Sequence, residues 1–239
     1  MKPTRNALIL TAALAACLAS SAQTPSPAVV VGTRLPISNP TLPAEVLVQG
    51  PTQAPGDLQI ICLFQSVPDN KLLASLALMD QQLGGLLTKV RTSGLFRGDL
   101  GETLLLTPKP GVIVAHRLLI IGLGDRTTFT AQREELVGEI AYEESERLGV
   151  AAPTFAPTVI DGGFNGTDTG SIGGYFVKGF LRGRAIATAL HAASAGPSPT
   201  VARFTFLAGE AHALDTQKGI ASVLNTAQSA RDGSNSAEP

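Results

Sequence analysis

From Glu45 onward the chain alternates short apolar runs of strand length with longer stretches whose apolar residues recur every three or four positions. Strands separated by helices pair in parallel and need helices on both faces to cover them, so this alternation constrains the fold strongly. The strand-like runs are Val46 to Val48, Gln59 to Phe64, Thr103 to Leu106, Arg117 to Ile121, Thr154 to Ile160 and Arg203 to Leu207. Between the second and third of them, Leu72, Leu76, Met79, Leu83, Leu86 and Val90 form a helical stripe, opened by Pro68-Asp69-Asn70 and closed by Ser93-Gly94. A second helix is expected from Ala131 to Leu148, with Thr130 as its cap and Gly149 at its end. A third is expected over Ser171 to Ala195, and a fourth from Leu214 through Leu224. The expectation is one α/β domain over residues 44–230: three layers, α/β/α, around a mixed, mostly parallel sheet of about six strands. The direct passage from the third strand to the fourth permits a hairpin, and 231–239 read as a disordered tail.

Hydrophobic residues at 44% and charged residues at 15% supply enough apolar side chain for a core, which excludes a chain disordered throughout. A net charge of -1 leaves no basic field for nucleic acid, and no interior stretch is apolar enough to span a bilayer. The first 22 residues read as a secretory signal: Lys2 and Arg5 precede the apolar run Ala7 to Ala16. Two cleavage readings stand side by side. Ser20, Ser21 and Ala22 suit an ordinary signal peptidase acting before Gln23, while Leu14-Ala15-Ala16-Cys17 resembles a bacterial lipobox, in which Cys17 would carry the lipid. Residues 23–43, with Pro25, Pro27, Pro36, Pro40 and Pro43, read as an extended tether. The body is thus expected to be exported, periplasmic or extracellular, touching a membrane only through such an anchor. Cys62, inside the run Ile60 to Phe64, is expected to be a buried free thiol.

The block Gly101-Glu102-Thr103-Leu104-Leu105-Leu106, followed by Arg117 to Ile121 and Gly122-Leu123-Gly124-Asp125-Arg126, resembles the amino-terminal domain of the M17 leucyl aminopeptidases. Phe64, the helix Leu72 to Leu87 with Gly84 and Gly85, and Phe96, Gly98 and Gly101 are similar to the family's first helix and the loop after it. The likeness continues more weakly through Gly173-Gly174-Tyr175-Phe176, Gly179 to Arg184 and Gly209 to Asn225. It implies a fold like the macro domain, whose known members hold ADP-ribose with glycine-rich loops. In the family the peptidase chemistry belongs to a carboxy-terminal domain with two metal ions and an Asn-Thr-Asp-Ala-Glu-Gly-Arg signature. That domain has no counterpart in these residues, and the string Asn165 to Gly170 lacks the glutamate and arginine of the signature. The expectation is a non-catalytic relative, without metal or cofactor, acting as a binding or assembly module.

Candidate sites follow from two glycine-rich loops. Gly122, Gly124 and Asp125 leave a strand toward a helix, and Gly162, Gly163, Asn165, Gly170, Gly173 and Gly174 lead into another. Backbone amides at such junctions can cradle a small anionic ligand, although glycines also simply make turns and Asp125, Asp161 and Asp168 would repel phosphate. If such a ligand were hydrolysed, Asp125 or Asn165 would supply the polar group. Glu134, Glu135, Glu139, Glu143, Glu144 and Glu146 make the second helix acidic, while Lys178, Arg182 and Arg184 give the third a basic face. These faces are solvated surfaces by default. The functional alternative docks them on further copies of the chain or on a separately encoded M17 catalytic domain. His116, His191 and His212 lie far apart, without metal-ligand spacing.

Overall fold

The computed structural model describes residues 29–66 and 71–235, and the side chains of all of these except 231–235. The signal segment, Cys17, the first part of the tether and the helix start at Pro68 to Asn70 lie outside the described residues. Seven strands form one sheet in the order β1-β2-β7-β6-β3-β5-β4. They are β1 Arg34–Ile37, β2 Ala44–Val48, β3 Leu58–Leu63, β4 Thr103–Leu106, β5 Arg117–Gly122, β6 Thr154–Ala156 and β7 Phe204–Ala208. The five inner strands are parallel, and β1 and β4 close the two edges in the antiparallel sense. The anticipated pairing of the third and fourth strands is found in β4 and β5, with Leu104 opposite Ile120.

Successive side chains of a strand point to opposite faces, and β3 shows the consequence. Ile60 and Cys62 join one buried cluster with α3 (Arg133–Arg147), α4 (Thr169–Ala192) and α5 (Ala213–Asn235). Ile61 and Leu63 join the other, with α1 (Ala74–Gln82) and α2 (Leu86–Thr92). The result is the three-layer α/β/α domain. On the first face Phe155 stacks on Phe176 at 3.9 Å between ring centroids, and Phe180 and Phe204 lie 5.1 Å apart.

Several boundaries differ from the sequence reading, each for a physical reason. Residues 29–43 are not wholly a tether: β1 is the seventh strand, and Ile37 and Leu42 are buried. Proline is tolerated on an edge strand such as β1, where Pro36 pairs with Glu45, so the prolines concealed the strand. Asn39, also buried, accepts from the Thr41 and Leu42 amides and donates to the Leu224 carbonyl of α5. The single helix expected from Leu72 to Val90 is two, because Gly84 and Gly85 adopt positive φ of 67° and 77°, which a helix interior does not accept. β6 ends at Ala156 rather than Ile160, since Pro157 has no amide for the ladder. At the other end α5 continues through Arg231 to Asn235, into the stretch read as a tail; a polar composition fits an exposed helix end as well as a loop.

Candidate functional site

The carboxyl ends of β2, β7 and β6 open into a cavity of about 310 Å³. Its apolar walls include Val48, Ala156, Phe206 and Ala208 from the strand ends, Ile172 from α4 and Val159 from the turn after β6. In open α/β sheets ligands bind in the crevice outside the carboxyl ends of the strands, and this cavity occupies that position. Its polar lining includes Ser75, Thr158, Asp161, Glu210 and His212. Among the described residues neither lysine nor arginine lines it.

Two lining residues have backbone conformations that side chains rarely adopt: Thr158 at φ 50° and Ala74 at φ 40°. For a β-branched residue this is a costly state, and such strain persists only where surrounding contacts impose it. At Thr158 the contacts are visible. Its hydroxyl donates to the Cys62 carbonyl at 2.6 Å and accepts from the Cys62 amide at 3.0 Å, prolonging the pairing of β6 with β3 beyond Pro157. The chain then turns sharply to place Asp161 at the cavity wall. There the Ser75 hydroxyl donates to Asp161 Oδ2, and the Leu73 amide donates to its carbonyl. Burial raises the Asp161 carboxyl above its ordinary value, against the opposing effects of the Ser75 hydrogen bonds and nearby His212.

The glycines singled out in the sequence serve packing. Gly122 lies against the loop before β4, where a methyl group would sit 2.0 Å from the Asp99 carbonyl oxygen, and the Gly124 amide donates to the Gly98 carbonyl. Asp125 is exposed, and its carboxylate accepts from the Thr127 amide and hydroxyl, which lower its pKa. In the second loop the amides of Gly162, Gly163 and Phe164 donate to the carbonyls of Thr158, Ile160 and Val159. These amides are therefore not open to an anion. Asn165 is exposed on the same loop and does not line the cavity. Gly170, Gly173 and Gly174 face α5, with methyl positions 2.9 Å from the Asp215 carbonyl, 2.9 Å from Ile220 Cγ1 and 3.5 Å from the Gly219 carbonyl. Gly170 and Gly174 border a groove between α4 and α5, whereas the cavity takes only Thr169 and Ile172 from this part of α4.

Amide clusters elsewhere are filled by the protein's own carboxylates. Asp168 caps α4 by accepting from the Ser171 amide at 2.7 Å. Glu102 accepts from three consecutive amides, Arg97, Gly98 and Asp99, and Glu146 accepts from Thr200 and Val201. The charged helix faces make contacts within the chain, although Glu143, Lys178 and Arg182 stay exposed. Glu139 of α3 meets Arg182 of α4 at 3.5 Å, the Arg184 guanidinium donates to the Val201 carbonyl, and Lys178 lies over the Tyr175 ring. Glu134 is fully buried, Glu135 is half-buried and Glu143 is exposed. Contiguous sequence revealed none of the cavity walls, because they come from separate strand ends; the turn-forming pairs Pro157-Thr158 and Gly209-Glu210 just beyond two strands are the signal that could have pointed there.

The cavity at the strand ends of this sheet defines the class as a macro-domain-like α/β domain. A variant of the Oceanobacillus iheyensis macrodomain superposes with a TM-score of 0.55, at 10% identity over 81% of this chain and 99% of that one. The same bacterium's macrodomain with ADP gives 0.53, at 8% identity over 81% and 98%. A variant of tomato leucine aminopeptidase gives 0.56, at 18% identity over 77% of this chain and 35% of that one, so the chain spans about a third of the plant enzyme. Residues 60–161 match the model of the cytosol aminopeptidase family, N-terminal domain, and it is this M17 domain that the chain resembles. No curated protein matches the chain by sequence. Among the described residues no group of three His, Cys, Asp or Glu side chains could hold a metal ion, and no helix is long and apolar enough to cross a membrane.

Proposed function

We propose that this chain is an exported, non-catalytic binding module of the M17 amino-terminal type, and that its ligand occupies the cavity at the ends of β2, β7 and β6. The carrying observation is that cavity: about 310 Å³, walled by apolar side chains with a few polar groups converging on it, at the small end of the range for ligand pockets, roughly 300 to 1,000 Å³. The strained Thr158 and Ala74 in its lining support the reading, since strain of this kind clusters at functional positions. Solved macrodomains of the same fold hold ADP in one case and ADPR in another. Of the residues that motivated an assembly role, Glu139 and Arg182 engage each other while Glu143 and Lys178 stay exposed, and the cavity at the strand ends favours the ligand reading over it.

The test is retention of a small molecule. Purified protein is incubated with a low-molecular-weight extract of its host, separated by size, denatured, and the released compounds identified by mass spectrometry. Wild type is expected to retain a defined compound, and Ala208→Leu, which narrows the cavity from a half-buried strand end, is expected to lose it. Equal retention by both proteins places the ligand elsewhere and overturns the assignment.

A further inference from the structure

We propose that the cavity selects a small organic cation, an amine on an apolar body, and discriminates against phosphorylated compounds. This rests on the cavity being the ligand site and concerns only the chemistry it accepts. Among the described residues the charge of the lining is one-sided: Asp161 and Glu210 contribute carboxylates, and neither lysine nor arginine offsets a phosphate. His212 is the remaining lining residue able to carry positive charge, and it lies near Asp161. The other means of holding phosphate is a set of free backbone amides, and in the glycine loop next to the cavity those of Gly162, Gly163 and Phe164 are bonded within their own turn. The start of α4, beside the cavity, is capped by Asp168, a further carboxylate where an anion would otherwise settle.

An ammonium group reverses each of these penalties. Asp161 is partly desolvated and takes hydrogen bonds from the Ser75 hydroxyl, at Oδ2, and from the Ser75 amide. A cation beside it would favour the charged carboxylate that burial opposes. Glu210, at the exposed rim, accepts from the Val31 amide through Oε1 and adds a second negative charge to the same opening. Below the rim the walls are aliphatic and aromatic, so the complementary molecule has a charged head and an apolar body.

The experiment compares probes of one shape and different charge. Hexylamine, hexanol, hexanoate, inorganic phosphate and ADP-ribose are titrated into the protein by calorimetry, with line broadening of the probe in NMR as a second readout. Hexylamine is expected to bind roughly tenfold more tightly than hexanol, with hexanoate, phosphate and ADP-ribose showing no saturable binding. Asp161→Asn and Glu210→Gln are each expected to weaken hexylamine and leave hexanol unchanged. Glu210→Gln, at an exposed position, keeps the test informative if the loss of the Ser75 contact unfolds the other variant. Hexanol binding as tightly as hexylamine, or tighter binding by ADP-ribose, overturns the charge selection and leaves the cavity as a ligand site. Binding by no probe also overturns the amine proposal, and the extract experiment then decides separately whether the cavity holds a ligand.

Discussion

Glu134 is an acidic residue placed fully inside the core, where no described side chain or backbone group partners it. Its side chain is 0% exposed and neither carboxylate oxygen has a hydrogen-bond partner, so burial raises the group from 4.5 to about 8. Below about pH 4.5 the group is protonated in both folded and unfolded chains. Between there and about 8 the folded protein keeps a proton that the unfolded chain has released, so stability falls as pH rises and then levels off. Glu134→Met removes this dependence. The variant is expected to melt higher than wild type at pH 8, with the difference shrinking as pH falls toward 5, which a pH series of thermal scans checks directly. Cys62 shares this environment: burial, and then the Glu134 carboxyl, push its thiol well above its ordinary range. Its reaction with Ellman's reagent is expected only at the rate of unfolding. The buried thiol was legible from the apolar run around it, whereas the burial of Glu134 was not, since its neighbours Glu135 and Glu139 read as a solvated face.

At the scale of elements, the tightest contact is the crossing of α3 and α4. A methyl group at Gly138 would lie 1.9 Å from the Phe176 carbonyl oxygen, and one at Gly179 would lie 1.7 Å from that of Glu135. Backbone cannot yield as a flexible side chain can, so Gly138→Ala and Gly179→Ala are each expected to cost about 3 kcal/mol, the upper end for overpacking. Because both act on one crossing, the double variant should cost less than the sum, and denaturant titration of all four proteins measures the difference. Gly173 belongs to the same kind of packing, against Ile220 of α5, so Gly173→Val is expected to lower the melting temperature with no ligand present. Sequence periodicity sufficed for elements whose apolar pattern runs unbroken, such as α3 and β5. It failed where a local residue overrode the pattern: Gly84-Gly85 split a helix, Pro157 cut β6 short, and Pro36 disguised β1. The cavity was less legible still, because adjacency of β2, β7 and β6 is a property of strand order and is not encoded in any one segment.

Two expectations belong to the whole molecule. The purified protein is expected to show no metal-dependent turnover of leucine p-nitroanilide with added manganese or zinc, since the matched family segment is the N-terminal domain. Saturable turnover that follows the protein through every purification step would contradict this. The proposed export is tested at the mature amino terminus by mass spectrometry: an acylated Cys17 would fix lipid anchoring, which Cys17→Ser should abolish, and an unmodified Gln23 terminus would fix the ordinary cut. At the near end of the described chain the Val31 amide donates to Glu210, both residues line the cavity, and Val29 packs against the core. The lead-in to β1 and the mouth of the cavity are therefore fastened together, so that whatever pulls on the one reshapes the other.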